Sequence, residues 1–202
     1  MLKRSCENRV AQGFTMIEVL VAILITAFGL LGLAGLMSKM QVAETEGFDR
    51  SQAMALLWDM SERVYAAMPT TTATANAYTN GGTTATAGTG VTSYTSPCTG
   101  TGATRDLCEW NFALQGAAET RSSTKVGAMT GARGCVQLVT APNPGAGICT
   151  PATFRISVVW QGLMDTVNQT GNANTCGQNQ YGAETRRRIV SEMVTIGIPK
   201  CT

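Results

Sequence analysis

Gly13-Phe14-Thr15-Met16-Ile17-Glu18-Val19-Leu20-Val21-Ala22-Ile23-Leu24 joins a short basic segment to a long apolar one, and this junction decides how the rest of the chain is organised. Ahead of it Lys3, Arg4 and Arg9 stand against Glu7, and after it Val19 to Met37 form 19 residues without a charge. An apolar run of that length spans a bilayer as a helix. Because the positive charges precede the run, they stay cytoplasmic and the C-terminal body lies outside. An ordinary secretory signal has a shorter apolar region followed by a small-x-small cleavage site; this run is longer and has no such site in register. A plain signal anchor would account for the length but not for Glu18. A carboxylate inside an apolar helix costs on the order of a few kcal/mol near the bilayer centre and less near its edge, so it needs a partner or a function.

The bulk composition narrows the function classes. At 202 residues the chain holds one ordinary domain and an appendage. Fifteen basic against thirteen acidic residues give a net charge of +2 with no long basic run, so no nucleic-acid contact is expected. The chain has no histidine, which removes the commonest general base, the Ser-His and Cys-His nucleophile pairs and every mixed Cys/His metal site. No catalytic set, cofactor or metal is expected.

Of seven cysteines, Cys6 precedes the junction and the other six are Cys98, Cys108, Cys135, Cys149, Cys176 and Cys201. An even number in a body outside the cytoplasm suits three disulfides. Zinc is the alternative, but no Cys-x-x-Cys pair is present to grip one ion tetrahedrally. Pairing of sequential neighbours is the expectation: Cys98 with Cys108, Cys135 with Cys149, Cys176 with Cys201.

From Lys39 the pattern becomes amphipathic, with Met54, Leu57, Val64 and Met68 at helical spacing among charged residues, and Pro69 ends it. A helix from Phe14 to Met68 would be about 80 Å long at 1.5 Å per residue. Its first part is membrane or filament core, and its second packs an apolar stripe on a globular head. Between Thr70 and Thr104, 14 of 35 residues are threonine and most others are Ala, Gly or Ser. That composition predicts no core there, only a long surface loop or a floppy linker.

Residues 105–114 suggest a short helix with Leu107, Trp110 and Leu114 on one face. Strands are expected over Cys135 to Thr140, Phe154 to Trp160 and Arg188 to Ile198, the last with Val190, Val194, Ile196 and Ile198 on one face. The fold class is therefore α+β, a long N-terminal helix packed on an antiparallel β-sheet head. Arg186, Arg187 and Arg188 form the only dense basic cluster. A solvated strand edge is the favoured reading and a docking site for an acidic partner the alternative. The Asn-x-Thr triplet at Asn168 is a glycosylation acceptor only in the right host.

Gly-Phe-Thr-Met-Ile-Glu followed by Val-Leu-Val-Ala-Ile-Leu resembles the leader junction of type IV prepilins and type II secretion pseudopilins. The resemblance implies a pilin fold, with a prepilin leader over 1–13, a membrane and filament helix over 14–68, and a periplasmic disulfide-stabilised head over 69–202. It implies that a prepilin peptidase cuts between Gly13 and Phe14 and N-methylates Phe14. The new amine then seeks an anion in an apolar setting, and Glu18 of a neighbouring subunit supplies it, so that charge neutralisation sets the register of assembly. Glu18 also sits at the positive end of its own helix, worth under about 1 kcal/mol. Gly29, Gly32 and Gly35 each cost roughly 1 kcal/mol relative to Ala inside a helix. They serve either close helix packing or a stretch that melts when the subunit leaves the bilayer, as related pilins lose helix there.

The same run, Asp106-Leu107-x-x-Trp110, and Val158-Val159-Trp160-Gln161-Gly162 are similar to PilV-type minor pilins. That likeness implies a subunit that primes assembly of a type IV pilus and sits at or near its tip, supporting twitching motility and adhesion. Its partners would be other minor pilins, the major pilin and a tip adhesin, with the inner membrane holding it before assembly. A minor pseudopilin of type II secretion is the rival reading, and a single-pass membrane-anchored enzyme or sensor a third.

Overall fold

The computed structural model describes residues 13–117, 120–122, 124–125, 127–145, 147–167 and 174–199. Residues 1–12 of the leader, Cys6 among them, Cys201 and the whole Asn168 triplet lie outside the described residues. The chain forms two compact units, divided between Glu44 and Thr45.

One helix, α1 (Met16–Ala67), contributes to both units. In the first unit its apolar side chains meet no protein: every residue from 13 to 41 is exposed, Phe14 at 83% and Leu31 at 70% among them. A helix apolar on all sides and covered by nothing among the described residues is long and apolar enough to cross a membrane. Thr26, the polar residue midway along the run, turns its hydroxyl back to the carbonyls of Ala22 and Ile23, both at 2.9 Å, so no donor is left bare.

In the second unit the residues of α1 alternate between a charged outer face and a buried one. Ala53, Leu57, Met60 and Val64 are buried and face the sheet. Met54 and Met68, expected on this stripe, are instead 37% and 49% exposed; the true stripe runs one turn-face over, through Ala53 and Met60. The helix ends at Ala67, Met68 takes a positive φ of 44°, and Pro69 cannot continue the helix.

The sheet is four-stranded and antiparallel throughout, in the order β1 (Thr84–Gly88), β4 (Arg133–Thr140), β5 (Ala152–Gln161), β6 (Arg187–Ile196). A separate hairpin pairs β2 (Thr120–Arg121) with β3 (Thr124–Lys125). Register follows the rungs Ala87, Gly134, Val158, Val190 and Thr86, Cys135, Ser157, Ser191. Side chains alternate across the pleat, so Val136, Phe154, Ile156, Val158, Val194 and Ile196 form the inner face and pack with α1 in one core. The helix α3 (Ala103–Leu114) completes it with Leu107, Trp110 and Leu114, all fully buried, as its spacing predicts. Trp110 donates its Nε1 hydrogen to the Leu56 carbonyl at 2.9 Å, tying α3 to α1. Gly134 makes room for it: a Cβ there would clash with the Trp110 ring and Leu114. A long helix on an antiparallel sheet is the α+β layout expected, and it fits a pilin fold.

The threonine-rich segment differs from expectation. It forms a short helix α2 (Thr72–Ala77) and the whole of β1, and Ala75, Tyr78, Ala85 and Ala87 are buried in the core. Threonines do the local work: Thr71 and Thr74 close a reciprocal capping box on α2, and the Thr79 hydroxyl bonds the carbonyls of Asn76 and Gly82. Alanines occupy the core positions of β1, Ala85 and Ala87 both lying in the main core cluster.

Cys98 pairs with Cys108, as expected for sequential neighbours. Cys135 does not pair with Cys149, nor Cys176 with Cys201; Cys135 pairs with Cys176, 41 residues on. The reason is the pleat. Cys135 points from β4 to the outer face of the sheet, where the loop over 174–182 lies across Ser157 and Val159. Cys149 is disulfide-bonded as well.

Candidate processing and assembly site

Gly13, Phe14 and Thr15 stand ahead of the helix in non-helical chain, and α1 begins at Met16. The Thr15 carbonyl accepts the first helical bonds, from the amides of Glu18 at 3.1 Å and Val19 at 3.3 Å. The Gly13–Phe14 bond is thus exposed, outside regular structure, and open to a protease, with nothing within 4 Å of where a Gly13 side chain would stand. Glu18 lies in the first turn, where the helix end is positive. Phe14, Glu18, Ala22 and Thr26 follow one another along one face and line a shallow groove with Val19 and Ile23.

The sequence-designated residues are therefore brought together, but by helix geometry alone. Among the described residues the Glu18 carboxylate has neither ion pair nor side-chain hydrogen bond. The helix runs unbroken through Gly29, Gly32 and Gly35, and a Cβ on any of them would meet nothing within 4 Å. The face they open is available to another helix.

In the second unit the arginine cluster has a different role from either expected one. Arg186 holds Asp165 at 3.1 Å, Arg187 holds Glu184 at 2.7 Å, and Arg188 holds Glu46 of α1 at 3.0 Å. Arg187 is only 3% exposed and also donates to the carbonyls of Asn174 and Cys176. The cluster is neither a solvated edge nor a vacant docking site; it builds the β5–β6 connection. Glu46 is the centre of one clasp: its Oε1 accepts from the Leu163 and Met164 amides, both at 3.1 Å, and from Arg188. A signal for it existed in the sequence. Glu46 lies seven residues before Ala53, on the buried side of α1, and a carboxylate there requires a cation. A second network, also missed, joins α1 to α3: Arg63 reaches Asp59, Asp106 and Glu109, and the Tyr78 hydroxyl donates to Asp106 at 2.6 Å.

Burial pushes the Glu46 carboxyl up, but the Met164 amide, the bonded and charged Arg188, and the Leu163 amide outweigh it and hold the group below its ordinary value. A carboxyl whose folded value is depressed stabilises the fold above its unfolded pKa and loses that contribution as pH falls through the folded one. Glu46→Gln should therefore lower stability by about 1 kcal/mol at neutral pH. The gap between wild type and variant should close on acidification below the ordinary carboxylate range. Urea titrations at pH 7 and pH 3 check this; a gap constant with pH would contradict it.

The prokaryotic N-terminal methylation motif matches residues 8–34. No curated protein and no solved structure matches the chain. The motif supports a type IV pilin or pseudopilin-like protein, and it points to a structural protein rather than an enzyme. It implies processing by a prepilin peptidase and partners from a pilus system. Motif and exposed apolar helix together fit anchoring in the inner membrane.

Proposed function

We propose that the chain is a minor pilin, cut between Gly13 and Phe14 by a prepilin peptidase and methylated at Phe14. It primes assembly of a type IV pilus and is incorporated at or near the tip, supporting twitching motility and adhesion. Before assembly the helix holds it in the inner membrane with the head in the periplasm; afterwards it joins the fibre at the cell surface. Other minor pilins, the major pilin and a tip adhesin are its partners.

One observation carries this reading. The methylation motif coincides with an exposed cleavable junction and with a helix whose apolar surface is bare on every side and bears a carboxylate four residues after the new terminus. Such a surface needs lipid first and other subunits later, and the carboxylate gives the second state a fixed register. The two segments similar to PilV-type minor pilins carry structural roles: Asp106 binds Tyr78, Trp110 joins α3 to α1, and Gly162 leaves space for the Arg188 guanidinium. A minor pseudopilin would share the junction and helix but not the location.

Surface fibres sheared from cells should contain the protein, starting at N-methylated Phe14 on N-terminal analysis. Recovery of Met1, or of a start inside the apolar run, would overturn the processing step. Absence from fibres, with loss of exoprotein secretion when the gene is deleted, would assign it to a secretion system.

A further inference from the structure

The outer face of the sheet carries a second feature, unrelated to assembly through α1. Alternation places Thr86 of β1 and Arg133 and Cys135 of β4 on that face. The loop over 174–182 is fixed above them by the Cys135–Cys176 disulfide, by Asn174 Nδ2 donating to Ser157 Oγ at 2.6 Å, and by the Tyr181 hydroxyl donating to the Gly131 carbonyl at 2.9 Å. Between loop and strands lies a pocket of about 210 Å³. It is smaller than the roughly 300–1,000 Å³ of sites for drug-sized ligands, so it suits a ligand of about one ring.

Arg133 makes no ion pair or hydrogen bond among the described residues, and its Nε is buried without a partner. That contrasts with Arg186, Arg187 and Arg188, each of which holds a carboxylate. Among the described residues no Asp or Glu lines the pocket, and the side chains of Thr86, Thr175, Gln178 and Gln180 stand around Arg133 without a side-chain hydrogen bond. The guanidinium lies against Gly90, where a Cβ would come within 2.9 Å of Nη2, so the glycine gives it room. A buried, unpaired donor of this kind is an exception in folded proteins and calls for an acceptor.

We propose that this pocket binds a carboxylated sugar unit, the carboxylate on Arg133 and the ring hydroxyls on the two threonines and two glutamines. The planar guanidinium fork matches a carboxylate through two parallel bonds. One available positive charge balances a monocarboxylate; a phosphate dianion would need a second, and the neighbouring Arg187 is already paired with Glu184 at 2.7 Å. Hydroxyls and primary amides donate and accept, as ring hydroxyls require. The unit is either a free uronic acid or the end of a glycan chain.

The test uses the oxidised full-length protein in detergent, with binding followed by saturation-transfer NMR and calorimetry. Glucuronic acid should bind saturably and at least about tenfold more tightly than glucose or inorganic phosphate, a step equal to one charge-assisted contact. Arg133→Gln should reduce it to the glucose level, and Arg133→Lys should fall between. Thr86→Val and Gln180→Ala should each weaken it several-fold. A glycan ending in uronic acid that binds tighter than the free acid supports the glycan end as the source, and equal binding supports the free acid. Equal affinity for glucuronic acid and glucose, tighter binding of phosphate, or no saturable binding overturns the proposal. If Arg133→Gln fails to form its disulfides, unchanged affinity in both Thr86→Val and Gln180→Ala overturns it as well.

Discussion

Replacing Glu18 by alanine is expected to leave leader cleavage and membrane insertion intact and to abolish surface fibres. The proposed cut falls at the Gly13–Phe14 bond in non-helical chain, two residues before the helix starts, so Glu18 is not needed to present it. Insertion should if anything improve, because the variant removes a charge from an apolar helix. Assembly is different. In the proposed fibre the Phe14 amine would be packed among apolar helices, and an ammonium left there without its carboxylate costs about 3–5 kcal/mol. At about 1.4 kcal/mol per factor of ten, that weakens each subunit contact by more than about a hundredfold. Glu18→Gln keeps size and polarity but not charge and should fail as alanine does, while Glu18→Asp should retain some fibres. The measurement is an immunoblot of sheared fibres beside one of the membrane fraction. Normal piliation in Glu18→Ala would refute the register role, whatever the variant does to cleavage.

The second large effect concerns the head. Removing the Cys135–Cys176 bridge with the Cys135→Ser/Cys176→Ser pair should destabilise the second unit by about 4 kcal/mol, the loop-closure value for a bridge spanning 41 residues. The same chain-entropy argument gives about 3 kcal/mol for Cys98–Cys108, whose bridge spans 10. The order of the two losses is the prediction, read from denaturant midpoints of the purified protein. A larger loss from Cys98→Ser/Cys108→Ser would contradict it. Peptide mapping without reductant should recover Cys135 linked to Cys176, and recovery of Cys135 linked to Cys149 would contradict the connectivity. The double variant should also release the loop over 174–182 and so open one wall of the pocket beside Arg133.

How much of this was legible differs by region. Leu107, Trp110 and Leu114 announced α3 because three large apolar side chains at helical spacing have one way to be buried together. β4, β5 and β6 were legible for a similar reason, since Val, Ile, Phe and Trp alternate along them. β1 was not, because its core positions are Ala85 and Ala87, which carry no pattern that separates a buried strand from a loop. The same ambiguity shifted the buried stripe of α1 toward Met54, when it is Ala53 that is buried. The arginine cluster was visible but its meaning was not. Whether Arg188 meets solvent, a partner or Glu46 depends on which strand comes to lie beside which turn of α1, and 142 residues separate the two.

The sequence by itself determined the junction at Gly13 and Phe14, the place of Glu18, the length of the apolar helix and the α+β class. These depend on charge order, run length and short periodicities, which are properties of neighbouring residues. The tertiary structure alone decided that alanines and threonines build an edge strand, that Cys135 reaches Cys176, that three arginines are consumed by three carboxylates, and that Arg133 has none among the described residues. Each of these depends on register between distant strands, because a side chain's face and its neighbour across the sheet exist only once the chain has folded back on itself.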